Sequence, residues 1–145
     1  MLFRSERYFQ RFAGVKRYMD ATRAKAAQLG YVETLFGRRI ELPDIRGGSG
    51  PRRAGAERQA INAPMQGTAA DLIKLAMVAV QKWLDEKKLA TKLIMQVHDE
   101  LVLEVPQEEL EPVKEGVREL MQNVAKLDVA LVVDVGVGVN WDQAH

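Results

Sequence analysis

Three polar residues, His98, Asp99 and Glu100, lie between two apolar runs, Leu93-Ile-Met-Gln-Val97 and Leu101-Val-Leu-Glu-Val105. Short runs rich in Val, Leu and Ile around a turn's worth of polar residues predict a tight β-hairpin, residues 93–105, with mostly buried strands. Two carboxylates at the tip of a buried hairpin are costly unless a metal ion or a cationic partner compensates them. Magnesium suits such a pair, because it takes hard oxygen ligands, keeps several waters and shares its shell with substrate phosphates. Asp99, at the turn, is placed as a ligand. Glu100 points elsewhere and could bind directly, through water, or not at all. A zinc site is excluded for His98: the chain has no cysteine, and its other histidine, His145, lies in a tail. A nucleophilic triad also lacks support, since serine occurs only at Ser5 and Ser49 and no Gly-x-Ser-x-Gly elbow exists. Metal-assisted phosphoryl chemistry remains, in which two ions clamp the attacking and leaving oxygens. It requires a further carboxylate on a neighbouring strand. Asp134 is conceivable, but reads more readily as a solvent-facing strand residue.

A second constellation lies upstream. Arg58, Asn62 and Gln66 recur every four residues and so share one helix face. Long polar side chains in such a row can reach the N3 and O2 acceptors of a minor groove; they can equally form a plain solvated face. The net charge of +1 hides an asymmetry: residues 1–62 are basic and dominated by arginine, whereas residues 63–145 are acidic. Arginine grips phosphate with a planar fork of donors, so an Arg-rich half suggests a polyanion partner, against the alternative of a solvated basic face.

The elements that must position these residues follow from periodicity. Residues 3–29 read as helix with Tyr8, Phe12, Val15 and Met19 as one core-packing stripe, an interruption at Ala13-Gly14 and a C-cap at Gly30. Tyr31–Leu35 and Ile40–Leu42 predict a small hairpin whose tip projects Arg38 and Arg39 outward. Arg46-Gly-Gly-Ser-Gly-Pro51 reads as a flexible loop. A helix is expected from Arg52 to Leu89, with Ile61, Met65, Ala69, Leu72, Ala76, Val80 and Trp83 on its apolar face and a kink or restart at Pro64. After the central hairpin come an amphipathic helix through Leu110, Val113, Val117, Leu120, Met121 and Val124, with Pro112 in its first turn, and a third strand, Leu131–Val135. The fold class is α+β, with helices covering an antiparallel sheet.

With 145 residues, 47% of them hydrophobic, the chain is one domain or a piece of one. No apolar run reaches the ~18 residues of a membrane span. The start lacks the features of a signal peptide, and a cytosolic protein is expected.

The assembled motifs resemble those of the family A DNA polymerases, of the bacterial DNA polymerase I type. Gln96-Val-His-Asp-Glu-Leu-Val102 is similar to that family's third polymerase motif, the palm hairpin with a catalytic carboxylate. Gly30-Tyr-Val-Glu-Thr-Leu-Phe-Gly-Arg-Arg39 resembles a fingers segment. Glu57-Arg-Gln-Ala-Ile-Asn-Ala-Pro-Met-Gln-Gly-Thr-Ala-Ala-Asp71 resembles the long palm helix, and Gly136 through Trp141 the family's usual ending. The resemblance covers essentially the whole chain, in the family's order. It implies the end of the fingers in residues 1–51 and part of the palm in residues 52–145. It also implies a catalytic tip of His98, Asp99 and Glu100, with His98 near the primer end and Asp99 as a ligand of catalytic magnesium. Glu100 would be a nearby acid of secondary importance to the metal. Arg58, Asn62 and Gln66 would touch the minor groove of template–primer DNA, and Arg52 and Arg53 would lie near its backbone. The implied reaction is attack of a primer 3′-hydroxyl on the α-phosphate of a deoxynucleoside triphosphate.

The family's first motif, Asp-Tyr-Ser-Gln-Ile-Glu-Leu-Arg, supplies the other essential metal-binding aspartate and has no counterpart here. Nor does the fingers helix that binds the incoming triphosphate. The chain therefore reads as a C-terminal polymerase fragment holding half of a two-metal site, inactive until joined to the missing N-terminal part. The implied setting is the bacterial cytoplasm, at the nucleoid. Without the first-motif strand, a sheet edge and an apolar face should stand uncovered. The alternative is a non-catalytic DNA-binding module built from the same basic half.

Overall fold

The computed structural model describes residues 4–145. Two compact units divide the chain, one ending at Thr68 and the other spanning Ala69–His145. A single long helix, α4 (Gly50–Glu86), contributes to both. The first unit contains α1 (Arg4–Arg11), α2 (Ala13–Leu29), β1 (Tyr31–Glu33), β2 (Arg39–Glu41), the short α3 (Asp44–Gly47) and the beginning of α4. The second contains the rest of α4, the hairpin β3 (Lys92–Val97) and β4 (Glu100–Glu104), and α5 (Leu110–Gln122). Both sheets are two-stranded and antiparallel, in agreement with the α+β class.

In the first unit the helical run breaks at Phe12, whose φ of −119° and ψ of 59° leave the helix one residue before Ala13-Gly14. Gly30 ends α2 as expected, at φ 83°, with its N–H bonded to the Ala26 carbonyl. Arg46 donates from Nε to the Ala27 carbonyl at 3.1 Å, placing a cation at the negative end of α2. The core is built from Ala26, Val32, Leu42, Ile45, Ala56, Ala60 and Ala63, with small side chains supplied by α2 and α4. The aromatic stripe does not join this core. Tyr8 and Phe12 remain 49% and 45% exposed, their rings tilted at 45° with centroids 5.0 Å apart, because no apolar surface among the described residues covers them.

The loop expected at residues 46–51 is largely helical: Arg46 and Gly47 finish α3, and Gly50-Pro51 begin α4. Proline is tolerated in a first helical turn, where its missing N–H has no intrahelical acceptor to serve. Pro64 does not restart α4, which runs through it. A mid-helix proline frees and displaces carbonyls one turn back. Here the Tyr18 hydroxyl donates to the Ile61 carbonyl at 3.2 Å, and Thr68 Oγ1 donates to Pro64 O. The same Thr68 oxygen accepts the Leu35 N–H at 2.9 Å, tying the β1–β2 turn to the helix. Arg38 stays exposed, as expected beside the turn, while its Nη2 donates to the Gly67 carbonyl at 3.2 Å. Arg39 also stays at the surface, over the Tyr31 ring at 4.5 Å. The apolar face of α4 in this unit is Ala56, Ala60 and Ala63 rather than the expected Ile61 and Met65; Met65 is exposed.

In the second unit Val80, Leu84, Val113 and Val117 form the core, with Trp83, Leu89, Leu93, Leu101, Leu103 and Val105 against it. The inner face of the hairpin thus packs on α4 and α5. The hairpin is not mostly buried, as the apolar runs suggested: Ile94 is 56% and Met95 39% exposed. The pairing shifts between Leu93↔Leu103 and Met95↔Val102, so Ile94 is the extra residue of a bulge. Residues 131–135 form no strand. A strand exists only by pairing, and among the described residues nothing pairs there, so Val132 stands 80% exposed. Pro112 lies in the first turn of α5, as expected, whereas Val124 falls beyond its end.

Two contacts in this unit carry predictions. Gly116 on α5 faces Trp83 on α4, and a Cβ there would sit 2.4 Å from Trp83 Cζ2. Gly116→Ala gains about 1 kcal/mol of helix propensity and incurs overpacking of about 1–3 kcal/mol. The expected outcome is net destabilisation, read as a lower urea midpoint by tryptophan fluorescence. Glu109 accepts hydrogen bonds from the Thr91 hydroxyl (2.6 Å) and from the N–H groups of Ala90 (2.8 Å) and Thr91 (2.9 Å). The Thr91 hydroxyl and then the Ala90 N–H hold its pKa below the ordinary value. Its stabilisation is therefore complete above the unfolded carboxylate pKa and disappears as pH falls through the lowered folded value. Glu109→Gln is expected to lower the urea midpoint at neutral pH and to flatten its fall on acidification.

Candidate active site

The hairpin β3–β4 closes with a two-residue turn, His98-Asp99, between the paired Val97 and Glu100. His98 adopts φ 51°, an uncommon conformation for a side-chain-bearing residue but one that tight hairpin turns require. Gln96 supports it by donating from Nε2 to the His98 carbonyl at 2.6 Å. His98 and Asp99 are exposed and Glu100 is half-buried. The desolvation cost anticipated for a carboxylate pair in a buried tip is therefore avoided, because the turn carries Asp99 into solvent.

Glu100 has a partner that the sequence reading had set aside. His145 brings Nε2 to 3.1 Å from Glu100 Oε1 and Nδ1 to 3.0 Å from the Trp141 carbonyl. Both ring nitrogens face acceptors, and only the imidazolium can donate to both. The Trp141 carbonyl, and then the Glu100 charge, accordingly raise the His145 pKa. The Trp141 ring meets the imidazole edge-on, centroids 5.4 Å apart. Backbone proximity brings the tail there: a Cβ at Gly136 would fall 1.7 Å from Ala144 O, and one at Gly138 2.6 Å from the Gln143 carbonyl carbon. Asn140 Oδ1 accepts the Gln143 N–H at 2.9 Å and closes the turn. Gly136-Val-Gly138 followed by Asn140, a close-approach pair and a turn former, was the sequence signal for this fold-back.

Among the described residues no group of three His, Cys, Asp or Glu side chains could hold a metal ion. Asp99 and Glu100 still fit part of a magnesium site, since magnesium needs only one or two protein carboxylates when waters and phosphates complete its shell. Asp134 is exposed outside any strand and does not complete the set.

The other site residues lie in the first unit. Arg52, Arg53, Arg58, Asn62 and Gln66 are all exposed on α4, away from the buried Ala56, Ala60 and Ala63. Arg53 Nε lies 3.5 Å from Glu57 Oε1. The structure thus groups the site residues into two sets, the hairpin tip of one unit and the polar row of the other.

The family model for DNA polymerase family A matches residues 4–143. DNA polymerase I of Pseudomonas aeruginosa is 61% identical over 140 residues, covering 97% of this chain and 15% of that protein. The thermostable DNA polymerase I of Thermus filiformis is 50% identical over 139 residues, with 96% and 16% covered. Among solved structures, the polymerase domain of Pol1 from M. smegmatis in complex with DNA primer–template and dNTP aligns with a TM-score of 0.93 at 44% identity. That alignment covers 97% of this chain and 25% of the neighbour. The chain spans about 15% of the length of the curated relatives it matches.

Proposed function

Because the chain belongs to DNA polymerase family A, we propose that it supplies part of a DNA-directed DNA polymerase acting in replication and repair. In this reading residues 1–51 end the fingers, residues 52–145 form part of the palm, and the setting is the bacterial cytoplasm at the nucleoid. No helix among the described residues is long and apolar enough to cross a membrane. The observation that carries the reading is Asp99, presented to solvent at the tip of a two-residue turn and flanked by His98 and Glu100.

The reaction is transfer of a nucleotidyl group: the primer 3′-hydroxyl attacks the α-phosphate of a deoxynucleoside triphosphate and pyrophosphate leaves. Magnesium, when bound, supplies Lewis-acid polarisation of the phosphoryl oxygens and neutralises developing charge. Asp99 would hold it, with Glu100 beside it, and the second aspartate of the pair belongs to the first motif, outside this sequence. His98 stands at the turn next to the primer end. Arg58, Asn62 and Gln66 donate to N3 and O2 acceptors, which every base pair presents in the minor groove, so contact there is largely insensitive to sequence. Arg52 and Arg53 neutralise backbone phosphates.

A second reading, DNA binding without catalysis, draws on the basic first half of the chain and the exposed row Arg58, Asn62 and Gln66. Primer extension with magnesium and all four triphosphates distinguishes the two. The chain alone is expected to give none, and combination with the N-terminal part of a bacterial DNA polymerase I is expected to restore it. Asp99→Ala in that complex should cost on the order of 10²–10³-fold in rate. Restored synthesis that survives this substitution sinks the catalytic assignment, and failure to restore synthesis favours the binding module.

Binding to template–primer DNA should weaken steeply with salt. Arg52→Ala and Arg53→Ala should each reduce the slope of log affinity against log salt by about 1. Asn62→Ala and Gln66→Ala, which remove no charge, should lower affinity and leave the slope as it was.

A further inference from the structure

The tail and the hairpin tip are far apart in sequence yet meet through one polar contact, Glu100 Oε1 to His145 Nε2 at 3.1 Å. Four features hold His145 in place for it. The Trp141 carbonyl takes the other ring nitrogen at 3.0 Å, and the Trp141 ring meets the imidazole edge-on. Asn140 closes the turn on the Gln143 N–H. Gly136 and Gly138 leave room for residues 143–144, which any larger side chain would displace. A contact supported this extensively is more than a chance surface pair, although exposed pairs in general contribute little to stability.

The geometry has a direct consequence for the tip. Asp99 and Glu100 are neighbours in the chain at the tip, and a Glu100 side chain without a partner would be free to occupy several rotamers. With one oxygen of Glu100 hydrogen-bonded to His145 Nε2, the direction of its carboxylate is set. Asp99 is left as the unconstrained acid of the turn. We propose that His145 is a positioning residue: the folded-back tail fixes the direction of the Glu100 carboxylate beside Asp99, and so orients the second oxygen donor that the tip offers to the catalytic metal. This rests on the polymerase reading above. It extends that reading by making residues 136–145 a working part of the metal site.

The test uses the chain combined with the N-terminal part of a bacterial DNA polymerase I and compares His145→Ala, His145→Gln and Gly136→Ala. Manganese binding, followed by electron paramagnetic resonance without nucleotide, is the readout independent of activity. Residues that orient metal ligands typically matter by 10–100-fold, and His145→Ala is expected at the lower end, a loss of roughly 10-fold in metal affinity. The same substitution should lower kcat and raise the metal concentration needed for synthesis, with KM for template–primer unchanged. Glutamine can place an N–H donor near the position of Nε2, so His145→Gln should recover most of the affinity. Gly136→Ala leaves His145 intact but displaces the tail, and should reproduce the alanine phenotype. Parental manganese affinity in both His145→Ala and Gly136→Ala overturns the proposal, as does a glutamine variant no better than alanine. Asp99→Ala separates the layers. Synthesis abolished by it but indifferent to His145 overturns the positioning role alone, whereas synthesis that survives it overturns the catalytic reading beneath.

Discussion

The second unit depends on one packing constraint: the inner face of hairpin β3–β4 must cover Val80, Leu84, Val113 and Val117. Side chains alternate across a strand with a period of two, so a register slip of one residue would turn Leu101 and Leu103 outward and expose the core. The burial that holds the hairpin also fixes where its turn emerges. Asp99 is aimed by apolar contacts on either side of it, none of which it makes itself. The bulge at Ile94 increases local twist, and the outer face, with Ile94 and Met95, stays open.

The first unit solves a different problem, that of seating a small hairpin against a proline-containing helix. Gly67 is the contact point: a Cβ there would lie 2.7 Å from Thr34 Cγ2 and 2.9 Å from Ile40 Cδ1. Its carbonyl takes Arg38, and the neighbouring Thr68 hydroxyl serves both the helix and the β1–β2 turn. With those groups engaged on the hairpin side, the opposite face of α4 is left to Arg58, Asn62 and Gln66.

Much of the local structure that carries the candidate site was legible in the residues. The His98-Asp99 turn, the two strands around it, the Gly30 cap, the β1–β2 hairpin and α5 with Pro112 in its first turn all follow from period and turn chemistry. These are local signals, decided within a few residues. The misreadings share a cause. Tyr8 and Phe12 stay exposed and residues 131–135 unpaired, because an apolar pattern reports what could be buried or paired without specifying the partner. Met65 was assigned to the apolar face of α4 because periodicity could not show which face the alanines would claim. The hydrogen bond from Arg38 to the Gly67 carbonyl is likewise invisible in the sequence, since it depends on where α4 passes the β1–β2 turn.

By itself, the sequence determined the element types, the turn that carries Asp99 and the family to which the chain is similar, since each is written in residues that lie close together. Tertiary structure alone decided that the tip stands in water rather than in a core, and that His145 meets Glu100. Both outcomes depend on packing and close backbone approach between segments tens of residues apart, where local propensity has no information. Glu100 therefore has a partner from a segment that the small size of Gly136 and Gly138 allows to fold back.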